Sequence, residues 1–317
     1  MSITIGLIGG ASGKELTEYI QKFGFTVALV IGKADEPGSD IADHILVTDL
    51  RNIEQVYSWL KELGVKKLII GTGHRFAFKL GKELERKGIQ LNVNIQASEL
   101  AKEKRVFKDF ITERGFSSPA YISVSDKESI PNLKRIVDHI GLPCVVKATI
   151  DTMLPQKINN ENELFEGINM ILESGSPVLI EQFIKGIDIT VFVSASKNEV
   201  KALPICYYSK AEDNEMKGFG HEEYLKGHLL PEIEKNVMEY CEKLVITCGF
   251  EGLPRVDLMV MPNGEIYILE TNSVAVTGIN ERHAAYCKGT VLALRMQGID
   301  VAEVVVKTAL KKFGLLQ

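Results

Sequence analysis

The sequence predicts an α/β protein in which an open parallel sheet with helices on both faces comes first and two mixed α+β lobes follow. Three observations carry this expectation. Over the first 95 residues, short apolar runs alternate with stretches of helical periodicity, and alternation at this spacing builds a parallel sheet through helical crossovers. Beyond residue 95 the signature changes to charged helices between strands, and Asn263-Gly264 marks a tight antiparallel hairpin. The length, 317 residues, exceeds one small domain and suits two or three compact units. Boundaries near residues 95 and 175 divide the chain into 1–95, 96–175 and 176–317.

In the first unit, the apolar run 3–8 reads as a strand ending at Gly9-Gly10, and 14–23 carries helical periodicity. A strand over 26–31, a helix over 53–63 and a strand over 67–70 follow, the last running into Gly71-Thr72-Gly73. A helix over 76–87 and a short strand near 90–93 complete the unit. Ligands of such sheets lie at the carboxyl ends of the strands. The second unit opens with a charged helix over 99–114 and a strand over 119–124. A helix over 133–140 stops at Gly141-Leu142-Pro143, where proline prevents continuation. A strand over 144–147 and a helix over 162–172 come next. Residues 178–183 and 188–194 read as strands paired around Lys185-Gly186, with another strand over 200–205 and a long helix over 231–247. The hairpin strands are 255–260 and 265–270, and 301–313 is a closing amphipathic helix.

Composition narrows the function. A net charge of -5 argues against nucleic acid as the main partner. The five cysteines, Cys144, Cys206, Cys241, Cys248 and Cys287, contain no CxxC pair, so reduced thiols, a cytoplasmic location and no structural zinc are expected. The opening apolar run MSITIGLIGG is too short for a membrane span or a secretory segment.

Gly9-Gly10, Gly13 and Lys14 follow a strand and open a helix, which invites a nucleotide-binding reading. A dinucleotide fingerprint needs glycine where Ile8 stands, and an acid at the end of the second strand, where Gly32-Lys33 stands. A phosphate loop also needs glycine at Ile8, and Ser or Thr where Glu15 stands. Both motifs fail, which disfavours an NAD-linked oxidoreductase. A tight strand-to-helix turn remains, or a helix N-terminus that receives an anionic substrate group.

The carboxy-terminal hairpin carries the chemistry. Arg255 and Asp257 share one face of the first strand, as do Glu270 and Asn272 on the second, because strands alternate with period two. Antiparallel pairing brings Asp257, Glu270 and Asn272 together, and two carboxylates with an amide oxygen are hard ligands suited to Mg²⁺ that also meets phosphate. Arg255 beside them is placed to stabilise a transferring phosphoryl group or an oxyanion. The alternative is a solvated hairpin face with ordinary charge pairs.

This hairpin resembles the magnesium-binding core of the ATP-grasp superfamily, most closely that of D-alanine–D-alanine ligase-like carboxylate–amine ligases. Further segments follow the family's order. Glu103-Lys104 with Lys108 resembles the start of the central domain, and the run ending at Lys147 resembles the strand whose lysine holds phosphates. The stretch from Val178 to Asp188 resembles the adenine hinge. The resemblance spans roughly 95–290 and implies the two-lobed ATP-grasp fold behind the amino-terminal sheet. It further implies that Lys104 and Lys147 contact the phosphates of ATP. Glu181, Gln182, Phe183 and Ile184 then face the adenine edge, and Asp188 accepts from the ribose hydroxyls.

The implied activity is ATP-dependent, ADP-forming ligation of a small carboxylate or amino acid to an amine through an acyl-phosphate. ATP and Mg²⁺ are the expected cofactors, with Mn²⁺ as an alternative ion. The partners are small-molecule carboxylate and amine substrates, without nucleic acid or membrane, and a homodimer is compatible with the sequence. Two departures qualify the likeness. The loop 148–156, which contains Thr149, Asp151 and Thr152, lacks glycine, where the family's phosphate-covering loop is rich in it. After Asn272 the chain has Ser273 and Val274 to Gly278 instead of Ser-Pro-Gly, and Lys14 stands where the ligases hold the substrate amine with glutamate. These differences point away from D-alanine and toward an anionic substrate group near Lys14. The loop 148–156 and the stretch 209–227 are the expected closing elements. A carboxylase or carbamoyl-phosphate-type enzyme is the alternative within the fold, and a nucleotide-binding protein without turnover the alternative outside catalysis.

Overall fold

The computed structural model describes residues 2–127, 133–149, 153–197, 199–207, 229–277 and 288–317. The amino-terminal part is built from β1 (Thr4–Ile8), α1 (Gly13–Lys22), β2 (Thr26–Ile31), β3 (His44–Val47), α2 (Ile53–Glu62), β4 (Lys67–Ile70), α3 (Arg75–Arg86) and β5 (Gln90–Leu91). These five strands form one sheet in the order β3-β2-β1-β4-β5, parallel throughout. Strand β3 has no counterpart in the sequence pattern because it is an edge strand with little to bury; Ile45 is 39% and Val47 47% exposed. The inner strands read clearly because both faces of a parallel sheet are covered.

Helices α4 (Ile95–Lys102) and α5 (Lys104–Thr112) occupy the stretch expected to be one helix. The break falls at Glu103, whose φ of -96° and ψ of 84° are not helical. Each helix then buries its own stripe: Ile95, Ala97 and Ser98 in α4, and Phe107, Lys108 and Ile111 in α5. The break makes Lys104 the first residue of α5.

Next come β6 (Tyr121–Val124), α6 (Leu133–Ile140), β7 (Cys144–Ala148), β8 (Gln156–Ile158), α7 (Glu161–Glu173) and β9 (Val178–Gln182). Their strands form a sheet in the order β6-β9-β7-β8, with α6 and α7 closing its core. Then follow β10 (Ile187–Ala195), β11 (Val200–Ala202), β12 (Cys206–Tyr207), α8 (Pro231–Cys248), β13 (Arg255–Val260), β14 (Ile266–Asn272), α9 (Lys288–Met296) and α10 (Val301–Lys312). Here the sheet order is β11-β10-β13-β14, with β12 also on β10.

The expected hairpin around Lys185-Gly186 does not form. β9 pairs with β6 and β7, whereas β10 pairs with β11, β12 and β13. The connection carries the chain from one sheet to the other. Glycine is needed there because a Cβ on Gly186 would lie 2.6 Å from the Val260 carbonyl oxygen.

Local signals set the ends of the last helices. Pro231 begins α8, and Gly249 at φ 69° ends it in the left-handed conformation. Asp300 caps α10, accepting from the Ala302 amide at 3.0 Å. Helix α10 joins α1, α9 and one face of the amino-terminal sheet in a single core, which also takes Phe192 of β10. Its neighbours Val191 and Val193 point the other way, into the core under α8. Strand β10 is thus buried on both faces, which fixes the hairpin β13–β14 next to it.

Candidate active site

Strands β13 and β14 pair antiparallel, with Asp257 opposite Glu270 and Arg255 opposite Asn272. The four side chains expected to meet are therefore cross-strand neighbours on one face. A bulge follows at once, since Leu258 pairs with Ile268 and not with Leu269. One extra residue on β14 turns Ile268 into the core while Glu270 keeps the face of Asp257.

Strand β10 supplies a fifth residue that the sequence did not mark. Thr190 lies opposite Asp257 and donates its hydroxyl to Asp257 Oδ1 at 2.5 Å. Arg255 holds Oδ2 from the other side, with its terminal nitrogen 2.8 Å away. Burial pushes the Asp257 carboxyl above its usual range, Arg255 opposes that shift, and nearby Glu270 reinforces it. Glu270 behaves differently. The desolvation of its carboxyl is outweighed by Lys104, Lys147 and Arg255, which together hold it low, at about 2. Lys104 Nζ stands 3.7 Å from Glu270 Oε2, and the Asn272 amide donates to Oε1 at 3.4 Å.

This donor set fits a hard divalent cation. It offers two carboxylates and an amide oxygen, one carboxylate firmly ionised. Among the described residues no group of three or more His, Cys, Asp or Glu forms an all-protein cage. One or two carboxylates, with the shell completed by phosphate and water, is the usual arrangement for Mg²⁺.

The second cluster lies on the sheet that contains β7 and β9. Lys147 and Glu181 are diagonal neighbours there, since Val145 pairs with Glu181 and Lys147 with Leu179. Lys147 Nζ is 2.7 Å from Glu181 Oε2. Lys108, from α5, reaches the other oxygen at 2.9 Å and donates to Ser118 Oγ at 2.8 Å. All three are buried, with Lys108 at 1% and Glu181 at 2% exposure. Burial drives the Lys108 ammonium down to about 8, with Glu181 opposing and Lys147 adding to the fall. Burial would raise Glu181, but Lys147 and Lys108 more than offset it and hold it below the ordinary carboxylate range. Because Lys147 acts on both Glu181 and Glu270, the two clusters form one electrostatic neighbourhood.

Of the remaining expected residues, Gln182 is exposed, Phe183 is half-buried with Lys157 Nζ 4.5 Å from its ring centre, and Ile184 is buried. Glu181 turns its carboxylate inward to the lysines. Asp188 is half-buried at the start of β10. Lys14 is exposed in the first turn of α1. The glycines before it serve a close-packed turn: Gly10 has φ 54°, and a Cβ on Gly13 would lie 2.1 Å from the Pro37 carbonyl oxygen. Ser12 in that turn accepts from the Thr277 amide at 2.9 Å, tying the turn to the segment after Asn272. No sequence motif announces that contact, because its partners are 265 residues apart. Asp151, Thr152, Gly278 and the stretch 209–227 lie outside the described residues. Cys144, Cys206, Cys241 and Cys248 are buried and not joined in disulfides, Cys287 lies outside the described residues, and among the described residues no helix is long and apolar enough to cross a membrane.

The family model described as D-ala D-ala ligase C-terminus matches residues 110–286. A D-alanine–D-alanine ligase of Carboxydothermus hydrogenoformans is 32% identical over 192 residues, covering 57% of this chain and 61% of that one. The chain thus spans about three fifths of the length of the curated relatives it matches. Among solved structures, N5-carboxyaminoimidazole synthase of Aspergillus clavatus superposes with a TM-score of 0.79 at 15% identity, covering 98% of this chain and 77% of the other. A D-alanine–D-alanine ligase of Bacillus anthracis, solved with ATP, superposes with a TM-score of 0.68 at 19% identity over 98% of both chains. The fold is the ATP-grasp architecture, an amino-terminal parallel sheet followed by two antiparallel ones.

Proposed function

The chain belongs to the family of D-ala D-ala ligase C-terminal domains, and from that premise we propose that it is an ADP-forming ligase joining a small carboxylate to an amine through an acyl-phosphate. The observation that carries this reading is the position of Glu270, opposite Asp257 in register and within the field of Lys104, Lys147 and Arg255. Such a site matches the charges of a metal–polyphosphate complex.

Asp257, Glu270 and Asn272 would hold Mg²⁺ or Mn²⁺, which when bound supplies positive charge to the transferring phosphoryl group. Lys104 and Lys147 hold the phosphates of ATP. Gln182, Phe183 and Ile184 line the adenine edge, and Asp188 accepts from the ribose hydroxyls. A substrate carboxylate oxygen attacks the γ-phosphorus, and the bond to ADP breaks. The amine lone pair then attacks the acyl carbon of the acyl-phosphate. Arg255 stabilises the oxyanion, phosphate leaves with the bonding pair, and the amine's proton passes to solvent. Lys14, exposed beside the amino-terminal turn, recognises an anionic group of one substrate.

A second reading is favoured by the likeness to N5-carboxyaminoimidazole synthase over 98% of this chain: bicarbonate is the carboxylate that is phosphorylated. One screen separates the two. ADP release is followed over paired amino acids and small carboxylates, with and without bicarbonate, and products are identified by mass spectrometry. A condensed product formed without bicarbonate supports the ligase, and a bicarbonate-dependent carboxylated product supports the second reading. ATP binding without any substrate-dependent ADP release contradicts both.

A further inference from the structure

We propose that Lys108 is a positioning residue for nucleotide binding: it keeps Glu181 neutralised so that Lys147 is free to leave that carboxylate for the phosphates. The inference rests on the reading of Lys147 as a phosphate-binding lysine.

The two lysines on Glu181 are not equivalent. Lys108 is 1% exposed, on the inner face of α5. It is anchored by Ser118 Oγ at 2.8 Å, and its ammonium lies 5.8 Å from the Tyr121 ring centre. At that burial it offers almost no surface to a ligand. Lys147 is next to the last residue of β7, its side chain 7% exposed; Glu270 acts on both lysines, but it is Lys147, with Lys104 and Arg255, that holds Glu270 low.

As the molecule stands, each Glu181 oxygen has its own ammonium, at 2.7 Å from Lys147 and 2.9 Å from Lys108. Glu181 is 2% exposed, and an uncompensated charge at such a site is strongly unfavourable. If Lys147 were its only partner, phosphate binding would have to carry the cost of stranding that carboxylate. With Lys108 in place, one ammonium moves and one stays, and the buried carboxylate remains paired throughout. A single carboxylate needs one cation. The second is the one available to a ligand.

Binding of ADP and of adenosine distinguishes this role from a purely structural one, because only ADP needs Lys147. Both are titrated calorimetrically into the full chain in the presence of Mg²⁺. In Lys108→Met, Lys147 is held on Glu181, so ADP should bind about ten- to a hundredfold more weakly, as for a lost charged hydrogen bond, with adenosine unchanged. In Glu181→Gln there is no carboxylate to neutralise, so adding Lys108→Met should leave ADP affinity where Glu181→Gln alone puts it. That comparison also serves if Lys108→Met alone does not fold. Equal weakening of ADP and adenosine in Lys108→Met, or a further loss of ADP affinity in the double variant, overturns the proposal. Lys147→Met separates it from the underlying reading. If Lys147→Met weakens ADP and Lys108→Met does not, only the positioning role fails; if Lys147→Met has no effect on ADP, the phosphate assignment fails as well.

Discussion

Replacing Glu181 by glutamine keeps the shape of the buried cluster and removes its only carboxylate. Lys147 and Lys108, paired to it at 2.7 and 2.9 Å, are left as two neighbouring ammoniums inside the fold. Breaking a buried ion pair by removing one partner typically costs about 3–5 kcal/mol. Protonation chemistry sets a ceiling, because the cluster is relieved once one lysine gives up its proton. From an ordinary lysine pKa near 10.4, that step costs about 4.6 kcal/mol at pH 7 and about 1.9 kcal/mol at pH 9. Lys108 is the residue that yields, since burial already holds it down to about 8 with Glu181 present. The sign follows from proton counts. In the variant, folded Lys108 lacks a proton that the unfolded chain binds up to about pH 10.4, so stability rises with pH across that window. In the parent the same rise begins only above about 8. The variant gains about 2.7 kcal/mol between pH 7 and pH 9 and the parent about 1.3 kcal/mol, so the deficit of Glu181→Gln is expected to be about 3–5 kcal/mol at pH 7 and about 1.4 kcal/mol smaller at pH 9. Urea unfolding followed by far-ultraviolet circular dichroism at both pH values measures it. A deficit under about 1 kcal/mol at pH 7, or one that grows with pH, refutes the buried-cluster argument.

Two further outcomes follow from particular contacts. Asp300 caps α10 through the Ala302 amide at 3.0 Å and pairs with Arg295 at 2.9 Å, so Asp300→Ala should cost about 1–2 kcal/mol in urea unfolding; no change would mean that the cap contributes nothing. Lys14→Met should raise the Michaelis constant for one substrate about tenfold or more, with ATP binding unaltered; unaltered kinetics for every substrate, or efficient D-alanine dimer formation by the parent, contradicts the anionic-substrate reading.

The hairpin that holds Asp257 and Glu270 is legible in the sequence because its signals are local. Asn263-Gly264 makes the turn, and period-two alternation then puts the carboxylates on one face. The bulge between Asp257 and Leu258 is not legible, since it depends on which of Ile268 and Leu269 the core accepts. Lys185-Gly186 looks like a turn, yet it separates two sheets, because strand partners are chosen by residues far away in the chain. The break at Glu103 lacks the glycine or proline that would announce it, and charges run on across it. Lys108 shows the same limit at a single residue. In sequence it stands out only as part of the Glu103-Lys104 segment, and its burial becomes visible only once α5 packs and Glu181 arrives from β9.

The central claim is that the charged face of the hairpin couples ATP to ligation, and Glu270→Gln tests it most directly. The substitution preserves shape and removes the carboxylate that Lys104, Lys147 and Arg255 hold ionised. Substrate-dependent ADP release is measured at saturating ATP and magnesium, with circular dichroism to establish that the variant is folded. Turnover should fall about a hundred- to a thousandfold, as for loss of a well-placed electrostatic group at a transition state. ADP release at near-parental rates by folded Glu270→Gln would contradict the account.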